Sequence, residues 1–232
     1  MKKRSVLFAV AAVGLWLAGA APSQASTVTP NPAGHQSGLT YEWGVTMGAN
    51  DSASYTGSLG AKSWAEPGNP AGAKGWTHTS DWTLLDLTGT GGPTLLTLTL
   101  DRGVTGSLFP AFSIFSGVED VNSDATNHTW NNTGAISWAT NLTFVDHLAN
   151  AGGPNGTDSG TGQTAASDSW VLNPGLYTLN YGGNPSFALG QTGSHAFSAT
   201  LTTAPVPVPA ALYLFGSGLV GLVGLARRRM KA

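Results

Sequence analysis

Residues 94–101 read Thr-Leu-Leu-Thr-Leu-Thr-Leu-Asp, and over the second half threonine and leucine alternate. Alternation with period two puts successive side chains on opposite sides of an extended backbone, so the leucines gather on one face only if the segment is a strand. Residues 197–202 repeat the pattern, with Phe197, Ala199 and Leu201 on one side and Ser198, Thr200 and Thr202 on the other. Comparable short runs of β-branched and aromatic residues lie at 39–47, 80–87, 95–101, 111–115, 135–144, 169–172, 176–181 and 195–202, bounded by Gly, Asn, Asp and Pro. Asn173-Pro174-Gly175 is a turn signal, because proline fixes φ and glycine accepts positive φ. Many short strands between turns predict an all-β antiparallel sandwich or jelly roll. One short helix is expected in this part of the chain, over 144–150.

Composition narrows the function classes. Hydrophobic residues make up 41% and charged residues 9% of 232, a balance that suits a packed core rather than a disordered chain. Net charge is −2 including the basic tails, and no basic patch lies between them, so nucleic-acid binding is not expected. No cysteine occurs, which removes disulfides, thiolate metal sites and cysteine nucleophiles together. Stability must come from packing and sheet hydrogen bonds.

Both ends carry the marks of export. Lys2, Lys3 and Arg4 precede an apolar stretch over 6–18 and a small-x-small site at Ser23-Gln24-Ala25, the pattern of a signal peptide cleaved after Ala25. Residues 210–226 lack any charge and would form a helix of roughly 25 Å, close to a hydrocarbon core of about 30 Å. Arg227, Arg228, Arg229 and Lys231 follow, which favours a cytoplasmic carboxyl end. Glycines at 216, 218, 221 and 224 are tolerated in a membrane helix better than in water. The sequence thus divides into a signal peptide (1–25), an exported sandwich domain (26–204) and a terminal segment (205–232).

Val206-Pro207-Val208-Pro209-Ala210-Ala211, the apolar stretch and the arginines together resemble the carboxyl-terminal sorting signal of bacterial PEP-CTERM proteins. The resemblance implies recognition near Pro207, Val208 and Pro209 by an exosortase, a membrane-embedded cysteine transpeptidase, after passage through the Sec translocon and cleavage by signal peptidase. It also implies transient anchoring in the inner membrane, a final place at the cell surface or outside it, and an association with exopolysaccharide and biofilm. Val208 stands where the family's glutamate usually stands, in a form that resembles a recurring variant. The segments 76–87, 108–118 and 170–183 also resemble the jelly-roll exported domains that precede this signal and, more loosely, bacterial pre-peptidase carboxyl-terminal domains. Neither likeness supplies catalytic residues.

Three internal groups bear on chemistry. Asp120, Asn122 and Asp124 alternate as oxygen ligands do in calcium loops, although Ala125 and Asn131 depart from an EF-hand; such a stretch is also an ordinary Asx-rich turn. Tryptophans at 64, 76, 82, 130, 138 and 170 provide flat apolar faces on which sugars stack. Trp82 and Trp170, among strand leucines, are expected in the core, whereas Trp64 and Trp130 lie in polar surroundings and are the candidates for carbohydrate contact. His78, His128 and His147, with Asp81, Asp146 and Ser167, contain the residue types of a hydrolase, but no Gly-x-Ser-x-Gly elbow and no zinc-binding His-Glu-x-x-His occurs. Segment 151–167 reads as a surface loop. The sequence therefore predicts a non-enzymatic exported sandwich, without an obligatory cofactor, in a structural or interaction role with extracellular polysaccharide. A carbohydrate-binding module, calcium-stabilised or not, is the alternative, and a hydrolase a lesser one.

Overall fold

The computed structural model describes residues 26–35, 39–60, 80–104, 106–122, 134–136, 138–149, 163–185, 193–206 and 218. Ten strands occur among them: β1 (Thr27–Pro30), β2 (Trp43–Thr46), β3 (Ser52–Gly60), β4 (Asp81–Asp86), β5 (Thr94–Asp101), β6 (Leu108–Ser116), β7 (Thr143–Ala149), β8 (Ala165–Leu172), β9 (Leu176–Pro185) and β10 (Ser194–Pro205). They form a six-stranded sheet ordered β1-β2-β4-β9-β6-β7 and a four-stranded sheet ordered β3-β10-β5-β8. All neighbours are antiparallel except β2 and β4. The molecule is the expected all-β sandwich, with a mixed rather than purely antiparallel larger sheet.

The alternation in β5 and β10 does what the period requires. Leu96, Leu98, Leu100, Phe197, Ala199 and Leu201 enter the space between the sheets, where they meet Leu85, Phe112, Ile114, Leu179 and Tyr181 of the larger sheet. Each leucine, isoleucine or phenylalanine among them, once fully buried, contributes about 1.5–3 kcal/mol of transfer free energy. A second apolar cluster lies on the opposite side of the six-stranded sheet. There Trp82, Leu84 and Phe115 point outward and are covered by Leu39, Tyr41, Ile136 and Ala139 from the connecting segments. One face of the larger sheet is thus core and much of the other is roofed.

Glu119 holds that roof in place. Its Oε1 accepts the backbone N–H groups of Val121 (3.2 Å) and Asn122 (2.9 Å), and its Oε2 accepts that of Asn141 (3.0 Å). Tyr41 adds a second tie, its hydroxyl meeting Thr178 Oγ1 at 2.7 Å and accepting the Glu119 N–H at 3.1 Å. Burial disfavours the charged Glu119 carboxylate, but the converging amide donors outweigh it and hold its pKa below the usual value.

Several expectations are corrected. Residues 144–149 belong to strand β7 rather than to a helix, because pairing with β6 from Ala111 to Ser116 overrides the local helical preference. Residues 138–142 form turns within the roof rather than the strand expected over 135–144. At Asn173-Pro174-Gly175 the chain bends without a positive φ at Gly175 and passes from β8 in one sheet to β9 in the other, so the expected turn makes no hairpin. Trp82 is buried as expected; Trp170 is only half-buried, at the margin of the core on edge strand β8. There its ring meets Phe112 edge-on at 5.7 Å and its Nε1 donates to Asp146 Oδ2 of β7 at 2.9 Å, clasping the two sheets together.

Candidate functional site

Only some of the sequence-predicted residues are among those described. Ala25, Trp64, Asp124, Trp130, Pro207, Val208, Pro209, Arg227, Arg228 and Arg229 lie outside them, as do the apolar stretch at 210–217 and 219–226, Trp76, His78 and His128. Among the described residues no helix is long and apolar enough to cross a membrane. Asp120 is exposed, and Asn122 turns its amide nitrogen toward Glu119 Oε1 (3.1 Å) and Thr140 Oγ1 (3.1 Å). This part of the candidate calcium loop is organised by the Glu119 carboxylate.

The candidate hydrolase residues that are described, Asp81, Asp146, His147 and Ser167, do not converge on one point. Ser167 is on the outer side of the four-stranded sheet, bonded to Thr99. Asp146 is bonded to Trp170, whereas the His147 ring sits against Phe144 at 6.0 Å. A Ser–His contact that the sequence did not suggest joins Ser107 Oγ to His195 Nδ1 at 2.7 Å. His195 Nε2 is buried without a hydrogen-bond partner, so the imidazole lacks the orienting carboxylate of a hydrolytic triad. Among the described residues no three His, Asp or Glu side chains are grouped so as to hold a metal ion.

Asp81 is instead buried between the sheets. It lies at the start of β4, opposite Tyr181, and faces the bare backbone of Gly57 in the other sheet. Burial, reinforced by the nearby Glu42 carboxylate, raises its pKa from an ordinary 3.8 to about 8. The Trp43 indole is close enough to moderate this, without reaching hydrogen-bond geometry, and Asp81 Oδ1 has no partner. Beside it the Tyr55 hydroxyl meets those of Thr83 at 2.8 Å and Tyr181 at 2.6 Å. Burial pushes both tyrosines upward, so this inter-sheet polar group is neutral below about pH 8.

Two outward surfaces remain. A cleft of about 370 Å³ opens where the roof ends on the six-stranded sheet, between strands β1, β2 and β4. Its floor dips at Gly44, against which Pro32 packs, and its walls include Thr29, His35, Thr46 and Asp86. The second surface is the outer side of the four-stranded sheet. Register places Ser54, Thr200, Thr99 and Ser167 side by side across all four strands, and Ser52, Thr202, Thr97 and Ser169 in the next row. Hydroxyls pair across strands between Thr99 and Ser167 (2.8 Å), Thr97 and Ser169 (2.7 Å), and Ser54 and Thr200 (3.4 Å). Ala204, Leu95 and Val171 continue the lattice as an apolar third row. Sequence alternation identified the contributions of β5 and β10; those of β3 and β8 appear only once register is known.

No protein-family profile matches the chain, and no curated protein matches it. Among solved structures it is similar to CorA of Methylomicrobium album BG8, a surface-associated copper-binding protein important in copper acquisition. The identity is 16% over 66% of this chain and 93% of that one, with a TM-score of 0.49. It is also similar to MopE, a secreted protein of Methylococcus capsulatus in which an oxidized tryptophan facilitates copper binding. There the identity is 16%, the coverage 66% and 84%, and the TM-score 0.38. Likeness at this level transfers neither a ligand nor a role.

Proposed function

We propose that the chain is an exported, non-enzymatic β-sandwich with a structural and interaction role at the cell surface or in the extracellular exopolysaccharide matrix. The observation that carries this reading is the outer side of the four-stranded sheet, where cross-bonded hydroxyls form a neutral, ordered surface. Serine and threonine held in place by their neighbours lose little side-chain entropy on contact with another polymer, unlike surface lysines or glutamates. The ends of the sequence support the route. A basic and apolar amino end suits Sec export, and the Pro207-Val208-Pro209 element with its apolar stretch and arginines suits exosortase processing at the inner membrane.

Expression with and without a functional exosortase, with an internal tag in 151–162, ahead of β8, tests this. Intact mass should show loss of residues beyond about Pro207, and the protein should fractionate with the extracellular matrix only when the exosortase works. A full-length protein held in the inner membrane under both conditions would remove the processing claim, and one that remains in the cytoplasm would remove export.

A further inference from the structure

We propose that the outer side of the four-stranded sheet is a docking surface for a neutral polysaccharide chain, which lies over the hydroxyl rows with its apolar ring faces on Leu95 and Val171. This deepens the surface and matrix reading by naming the surface and the class of polymer. The first observation is the pair of rows centred on Thr99 and Thr97, whose hydroxyls are fixed by Ser167 and Ser169. A hydroxyl engaged with one neighbour still has donor or acceptor capacity toward the outside. Adjacent strands are about 4.8 Å apart and alternate residues along a strand about 6.7 Å apart, so the outward groups form a two-dimensional array rather than a pocket.

The second observation is independent of the first. Leu95 and Val171, 37% and 62% exposed, are directly opposed in register and adjoin the hydroxyl rows. Hydroxyls on one side and an apolar strip on the other match a pyranose ring, which presents C–H groups on its faces and hydroxyls around its rim. Charge favours a neutral partner. The rows carry no ionised side chain, and the Asp101 carboxylate of β5, continuing the same face beyond Thr99, would repel a polyanion. Single contacts of this type are weak, and an extended polymer gains by making many at once. The expected aromatic platform of Trp64 and Trp130 is not needed for this mode.

The test uses the protein recovered from cells, with amorphous cellulose as the neutral probe and alginate gel as the polyanionic one. The wild-type protein should co-sediment with cellulose and not with alginate. The double substitution Thr97→Val and Thr99→Val keeps strand preference and removes two hydroxyls, and Val171→Asp charges the apolar strip. Each should reduce retention about tenfold, with unchanged near-ultraviolet circular dichroism, while Thr143→Val on β7 leaves it unaltered. Absence of wild-type retention, undiminished retention in both face variants, or loss only when Thr46→Trp fills the cleft would each overturn the proposal. Localisation is read separately, so a protein that is exported but does not bind cellulose disproves the docking surface alone.

Discussion

Asp81 is the residue at which burial and charge conflict most. A carboxyl that binds its proton more tightly when folded releases it on unfolding between about pH 4 and pH 8. Stability is therefore full below that window and falls as pH rises through it, by up to about 1.4 kcal/mol per pH unit. Thermal unfolding from pH 5 to pH 9 should show a decline in Tm for the wild-type protein and a flatter profile for Asp81→Asn. A wild-type Tm indifferent to pH, or an equal slope in the variant, would contradict the assignment. The same spot fixes Gly57, since a Cβ there would stand 2.5 Å from Phe197 Cζ and 2.8 Å from Asp81 Oδ2. Gly57→Ala should cost about 1–3 kcal/mol by overpacking, measurable by urea unfolding at pH 6. Little of this was legible in the sequence. The Ser-Asp-Trp-Thr segment marked a strand, but nothing local reveals that Asp81 faces the core and Ser113 the roof, because that depends on which partners each strand acquires.

At the level of elements, legibility followed periodicity. Strands β5 and β10 were visible because one face of each is core and the other is solvent. Strand β3 was missed, since Ser52–Gly60 mixes small residues whose inward set, Ala53, Tyr55, Gly57 and Leu59, has little apolar weight until Phe197 and Asp81 fill the space beside it. Strand β7 looked helical because a sheet edge imposes its pairing from outside. The roof depended on Glu119, an acid in a segment that reads as a polar turn. Glu119→Gln replaces one acceptor oxygen with a donor facing backbone N–H groups and should cost about 1–3 kcal/mol. Its lowered pKa has the opposite consequence to that of Asp81: its contribution is present above the ordinary value of 4.5 and is lost as pH falls below it. Hydrogen exchange at the amides of Asn122 and Asn141 should accelerate in this variant while those of β5 and β10 stay protected; uniform protection would show that the roof is held by its apolar contacts alone.

Across the whole molecule, the four-stranded sheet is built around β10, which lies between β3 and β5 and pairs with both along most of its length. Its partners precede it by roughly 100 to 150 residues, separations of the type that slow the search for native pairing. Stopping the chain after residue 193 should therefore leave β3 and β5 without their common neighbour and yield a protein lacking cooperative unfolding in calorimetry; a sharp transition in that truncation would show that the larger sheet folds alone. The position of β10 also sets a timetable. A nascent chain keeps its smaller sheet open until residues 194–205 have been made, so the sandwich closes only after its other described strands have emerged. Until then the edges of β3 and β5 that β10 will fill stand unpaired, open to any other extended chain that meets them.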